Sequence, residues 1–65
     1  MKYVILKQFI PGLDQIWVAK LDESDPVYAY DTLIEAEIKM AELQAADPSR
    51  GFKIAEMSVE EAVAL

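Results

Sequence analysis

Along residues 2–10 apolar side chains fall on both faces of a two-residue period. Tyr3, Ile5 and Phe9 share one face, and Val4, Leu6 and Ile10 share the other. A strand that is apolar on both faces is one covered on both sides. Pro11-Gly12-Leu13-Asp14 then reads as a turn, because proline presets its own φ and glycine accepts a positive one. Residues 16–21 resume the alternation, with Ile16 and Val18 on one face and Trp17, Ala19 and Leu21 on the other. The short connection makes a hairpin the natural pairing of these two strands, closed by a loop of about five residues. Asp22-Glu23-Ser24-Asp25-Pro26 reads as a polar, solvated loop. Val27 to Tyr30 reads as a short third strand, alternating Val27 and Ala29 with Tyr28 and Tyr30.

The period then lengthens. Thr32 stands three residues before Glu35, the spacing of a capping box. Leu33, Ile34, Ala36, Ile38, Met40, Ala41, Leu43 and Ala45 recur at helical intervals. Glu35 and Lys39 stand at i and i+4 in the favourable order for an ion pair, an arrangement worth about 0.2–0.5 kcal/mol. Pro48 ends the helix, because the residue before proline avoids the α region. After the turn Ser49-Arg50-Gly51, Phe52 to Met57 reads as a fourth strand. Ser58 and Glu61 repeat the capping spacing ahead of a short helix over Val59 to Leu65.

Three strands, a helix, a returning strand and a short helix predict an α+β fold: a sheet of three or four strands with one main helix packed on one face. The return from the third strand to the fourth is long enough for a crossover, expected to be right-handed, and the fourth strand can lie beside the first. Residues 1–65 make a single domain. A domain this small buries only about 60% of its unfolded surface and usually needs a staple. Disulfides are ruled out, since the chain has no cysteine, and 54% of its residues are hydrophobic. Oligomerisation is the staple left. No run approaches the roughly 18 apolar residues of a membrane span. Tyr3-Val4-Ile5-Leu6 is too short for a signal-peptide core, so a cytoplasmic protein is expected.

Histidine is absent as well. The usual acid–base group near neutral pH and the softer metal ligands are therefore missing, so no catalytic residue, metal ligand or cofactor site is assigned. The cluster Asp22, Glu23, Asp25 has too few oxygens for calcium and is cut by Pro26. Glu56, Glu60 and Glu61 are explained by a strand end and a helix start. Ser24, Ser49 and Ser58 have loop and capping roles, and neither Gly12 nor Gly51 lies in a phosphate-binding motif. The net charge of −6, with Lys2, Lys7, Lys20, Lys39, Arg50 and Lys53 scattered among acids, argues against nucleic acid and anionic membrane as partners.

The aromatic residues carry the better signal. Trp17 and Tyr28, and secondarily Tyr3 and Tyr30, either fill a small core or form a contact surface. Tyr and Trp are enriched in interface cores, and a domain this size has little interior, so the contact surface is the expectation.

The run Tyr30-Asp31-Thr32-Leu33, then Glu35-Ala36-Glu37, then Gly51-Phe52-Lys53-Ile54 is similar to small uncharacterised proteins of phages and of marine viral or metagenomic samples. The resemblance covers most of the chain and lies in the order of elements. It implies two or three strands, a capped helix and a returning strand in a compact unit. It carries no activity and no site residue, and it makes an accessory protein that binds itself or a host protein the more natural reading.

The leading expectation is thus a non-enzymatic homo-oligomer or protein-binding accessory module. An acidic nucleic-acid mimic is the first alternative; it needs Asp22, Glu23, Asp25, Glu37 and Glu42 on one face. A small enzyme or ligand carrier with its site at a subunit interface is the second.

Overall fold

The computed structural model describes residues 1–65 and is organised about the first strand, β1 (Lys2–Gln8). There follow β2 (Trp17–Val18), β3 (Ala29–Tyr30), helix α1 (Leu33–Ala46), β4 (Phe52–Met57) and helix α2 (Val59–Val63). The protein is an α+β domain with one main helix, as the change of period predicts.

β1 is the central strand of an antiparallel four-stranded sheet. β4 pairs with it from Lys2↔Met57 to Lys7↔Phe52, so the fourth strand does lie beside the first. β2 pairs through Lys7↔Val18 and Gln8↔Trp17, and β3 through Tyr3↔Tyr30 and Val4↔Ala29. Tyr3, Val4 and Lys7 each have a partner in β4 as well, which places β2 and β3 end to end along the opposite edge of β1. β3 and β4 both run antiparallel to β1, and α1 crosses from one to the other.

Cross-strand partners share a face. Tyr3, Ile5 and Lys7 of β1 therefore lie with Tyr30, Ile54 and Phe52 on the face that α1 covers. Val4 and Leu6 lie on the other face in a cluster with Ala19 and Ala62, flanked by Trp17, Val27, Ala29, Ala55 and Met57. The chain thus covers both faces of its own central strand. α1 lies on one side; α2, through Ala62, and the segment after β2, through Ala19, lie on the other. Val4 to Gln8 are all buried.

Three strands are shorter than the alternation suggests. β1 ends at Gln8 rather than Ile10. Beyond it Phe9 still donates to the Ile16 carbonyl at 3.0 Å, and Leu13 donates to Ile10 at 3.0 Å to close the turn. Pro11 and Gly12, with φ of 84° at the glycine, occupy the central positions of that turn in the order of a type II turn. β2 is two residues rather than 16–21, because Ala19 leaves the edge to enter the core and the Leu21 N–H turns to the Asp25 carboxylate at 2.8 Å. β3 is two residues rather than 27–30, although Tyr28 still accepts from Ile5 at 3.0 Å. α2 stops at Val63, two residues before the expected Leu65.

Both helix starts form where the capping spacing puts them. Thr32 Oγ1 accepts from the Glu35 N–H at 3.3 Å and donates to Glu35 Oε1 at 2.8 Å. At α2 the box is reciprocal: Ser58 Oγ accepts from the Glu61 N–H at 3.1 Å, and Glu61 Oε1 accepts from the Ser58 N–H at 3.4 Å.

Candidate functional site

Two polar side chains of β1 are drawn inside the domain, Lys7 on the α1 side of the sheet and Gln8 on the other. The Lys7 side chain is 3% exposed, and its Nζ reaches Asp25 Oδ2 at 2.5 Å and the Pro26 carbonyl at 3.4 Å. The same Nζ lies 5.0 Å from the centre of the Tyr28 ring, and Lys39 Nζ from α1 lies 5.0 Å from it too. Residues 22–26 are therefore not simply a solvated turn, since Asp25 folds inward as the counter-charge of a buried ammonium. Sequence offers no signal for this pair, because its members are separated by a whole hairpin.

A second knot closes the end of the sheet. Gln8 Oε1 accepts from the Gly51 N–H at 2.7 Å and from the Gly12 N–H at 2.9 Å. The Arg50 guanidinium donates to the Gln8 carbonyl and, at 3.1 Å, to that of Phe9. It is steadied by Asp47 at 3.1 Å, and this contact holds the Asp47 carboxyl below its ordinary value.

Between these two knots, under Leu43 and Phe52, lies a cavity of about 160 Å³. Its charged lining, Lys7, Asp25, Asp47 and Arg50, is already paired internally. Ligand pockets run from about 300 Å³ upward and present polar groups free to orient a guest. A wider depression of about 450 Å³ lies between Lys20, Asp22, Glu23, Val63 and Leu65; it is within that size range, but most of its lining is exposed. No three carboxylates converge in the way a metal ion requires. Asp22 is engaged instead by the Ser24 hydroxyl at 2.8 Å, which holds its carboxyl below the usual range.

Of the five acids that a nucleic-acid mimic needs, Asp25 alone forms an ion pair within the chain. Asp25 is taken by Lys7 and Asp22 by Ser24. Glu37 and Glu42 are five positions apart on α1, about 140° around a helix of 3.6 residues per turn.

The four aromatic residues of the expected contact surface are all half-buried. Trp17 packs against the Val4 and Leu6 cluster, with Lys53 Nζ 4.5 Å from its ring centre and its own Nε1–H donated to the Asp14 carbonyl at 3.3 Å. Tyr28 lies beside the two ammonium groups already described. Tyr3 and Tyr30 face each other across β1 and β3.

The most exposed large apolar side chains of the folded elements lie elsewhere. Ile34 and Ile38 on α1 are 69% and 61% exposed, and Ala41 and Ala45 beside them are exposed too. At about 100° per residue these four form one stripe, roughly opposite the line of Ala36, Met40 and Leu43 that faces the sheet. Phe9, Ile10, Leu13 and Ile16, each 40–49% exposed, form a second exposed apolar group at the hairpin end. Reading the helix as one apolar series hides the stripe, whereas placing the same residues around the circumference separates a sheet-facing line from an outward one.

The chain matches no known protein family model, no curated protein and no solved structure.

Proposed function

We propose that this chain is a non-enzymatic protein-binding module that buries the outer face of α1 against another protein chain. The observation that carries the reading is a helix apolar on two opposite sides, only one of which the domain covers. A surface helix ordinarily keeps one apolar stripe and turns a polar face to water. Covering two isoleucines this exposed contributes on the order of 2–4 kcal/mol to an association. The lack of histidine and cysteine, together with a cavity whose charges pair with one another, supports a role in binding rather than catalysis. Assembly with further copies or with a host protein both fall within this reading. Trp17, Tyr28, Tyr3 and Tyr30, each half-buried, would add contacts of their own.

The test combines mass and mapping. Light scattering over a concentration series is run on the natural chain, on Ile34→Ser/Ile38→Ser and on Trp17→Ala/Tyr28→Ala. Amide shifts are then followed as amphipathic helical peptides with cationic, neutral and anionic polar faces are added. A multimer lost on Ile34→Ser/Ile38→Ser, or peptide-induced shifts at residues 34–45, bears the reading out. A chain that stays monomeric and shows no shift on α1 with any peptide would overturn it.

A further inference from the structure

Resting on that reading, we infer that the outer face of α1 receives a cationic amphipathic helix of a different protein rather than a second copy of this chain. The borders of the apolar stripe carry the argument. Glu35 and Glu42 flank it on one side and Glu37 on the other, and all three are exposed. Glu35 accepts from the Thr32 hydroxyl, while Glu37 and Glu42 enter no hydrogen bond or ion pair within the chain. The one cation of α1, Lys39, lies on the sheet side of the helix with its ammonium against Tyr28. The stripe is thus bordered by three carboxylates and no positive charge.

Each alternative occupant meets those carboxylates with the wrong sign. A second copy would bring its own Glu35, Glu37 and Glu42 alongside, on a chain of net charge −6. An anionic membrane or a nucleic acid would be repelled by the same groups. A helix with Lys or Arg on both sides of an apolar line satisfies the face completely. The shape fits as well. From Ile34 to Ala45 the stripe runs about 16 Å at 1.5 Å per residue, three turns of a partner helix. Ala41 and Ala45 leave its second half shallow, so that a partner can approach to the short end of the 8–10 Å range of interaxial distances. The partner's anchors then recur at i, i+4, i+7 and i+11.

The test uses three synthetic 18-residue helical peptides that share one Leu/Ala stripe and differ only in carrying Lys, Gln or Glu on its borders. Binding to the intact protein is read by isotope-edited amide shifts. The expected result is that the Lys peptide shifts residues 34–45 and binds at least about tenfold more tightly than the Gln peptide, with the Glu peptide weaker still. Ile38→Ser should weaken the Lys peptide about tenfold or more while moving the melting temperature by no more than about 4 °C. Glu37→Gln/Glu42→Gln should weaken it about two- to tenfold and flatten its salt dependence. If the Gln or Glu peptide binds this face as tightly as the Lys peptide, the cationic partner is wrong while the contact surface stands. Shifts from the Lys peptide that lie elsewhere and ignore Ile38→Ser would mark non-specific charge attraction and overturn the inference. A natural chain that dimerises through α1 and excludes all three peptides would assign the face to a second copy. A monomer that binds none of them would remove both this inference and the reading beneath it.

Discussion

Lys7 shows how much of this domain is decided by single contacts. Its ammonium lies inside the fold with one carboxylate, Asp25, for company. Removing one partner of a buried pair leaves an uncompensated charge, which costs about 3–5 kcal/mol, whereas replacing both with apolar groups of similar volume is often neutral. Asp25→Ala is therefore expected to lower the urea midpoint sharply and Lys7→Met/Asp25→Leu to restore most of the loss, both read by urea unfolding. Gly51 makes a similar point about space. A Cβ built there would lie 2.8 Å from the Gln8 amide carbon, and that amide is the acceptor for both Gly12 and Gly51. Gly51→Ala should displace the amide and cost about 1–3 kcal/mol, the range for leaving buried donors unsatisfied. The same change in a Gln8→Ala background should cost clearly less, and a double-mutant cycle measures the difference. Neither contact is legible along the chain, since Gln8 and Gly51 are brought together only by the pairing of β1 with β4.

At the scale of elements, the helices depend on caps that sequence does reveal. Ser58 satisfies an N–H of α2 and is repaid by Glu61, and α2 is the element that seats Ala62 in the core. Ser58→Ala is expected to cost about 1 kcal/mol, measured by thermal unfolding. The outer face of α1 should behave in the opposite way. Ile34 and Ile38 contribute little to the isolated fold because water already reaches them, so Ile34→Ser/Ile38→Ser is expected to change stability by no more than about 0.5 kcal/mol per site. A large loss would show that these side chains pack within the domain and would count against α1 as a contact surface. The short strands were harder to read. Ala19 and Leu21 continue the two-residue alternation of β2, yet they belong to a segment that leaves the sheet edge and folds back through Asp25. Alternation marks burial on alternate sides, and a loop held on both sides produces it as well as a strand does.

For the whole molecule, the charge distribution sets how stability follows pH. Asp22, Asp31 and Asp47 have carboxyls held below their ordinary value of 3.8, by the Ser24 hydroxyl, by Lys2 and by Arg50 respectively. A carboxyl whose pKa is lower folded than unfolded contributes stability that is complete above the unfolded value and lost as pH falls through the folded one. The melting temperature is therefore expected to be level with respect to these groups from pH 7 to about pH 5 and to fall below about pH 4, where the unfolded chain takes up protons first. Asp22→Asn, Asp31→Asn and Asp47→Asn together should flatten that acid limb in a calorimetric pH series. All three groups are open to solvent, so the effect should shrink as salt is raised. No helix of the molecule is long and apolar enough to cross a membrane.

Element type and order were legible because each rests on neighbours in sequence: the two-residue period of β1, the Thr32 and Ser58 caps, Pro11-Gly12 at the turn and Pro48 after the helix. The two-sided apolar pattern of β1 also announced a strand covered on both faces. It did not say what would cover them. Only the assembled chain shows that α1 takes one face while Ala19 and Ala62 close the other. The unspent apolar surface consequently lies on the back of α1, at the hairpin end and at Val59, Val63 and Leu65 around α2 rather than on the sheet. The burial of Lys7 with Asp25, the lock of Gln8 and Arg50 on the turns, and the half-buried state of Trp17 and Tyr28 were likewise settled in three dimensions. Local propensity acts over a few residues, whereas each of these depends on which strand edges meet and on how one chain shares a limited interior among its own elements.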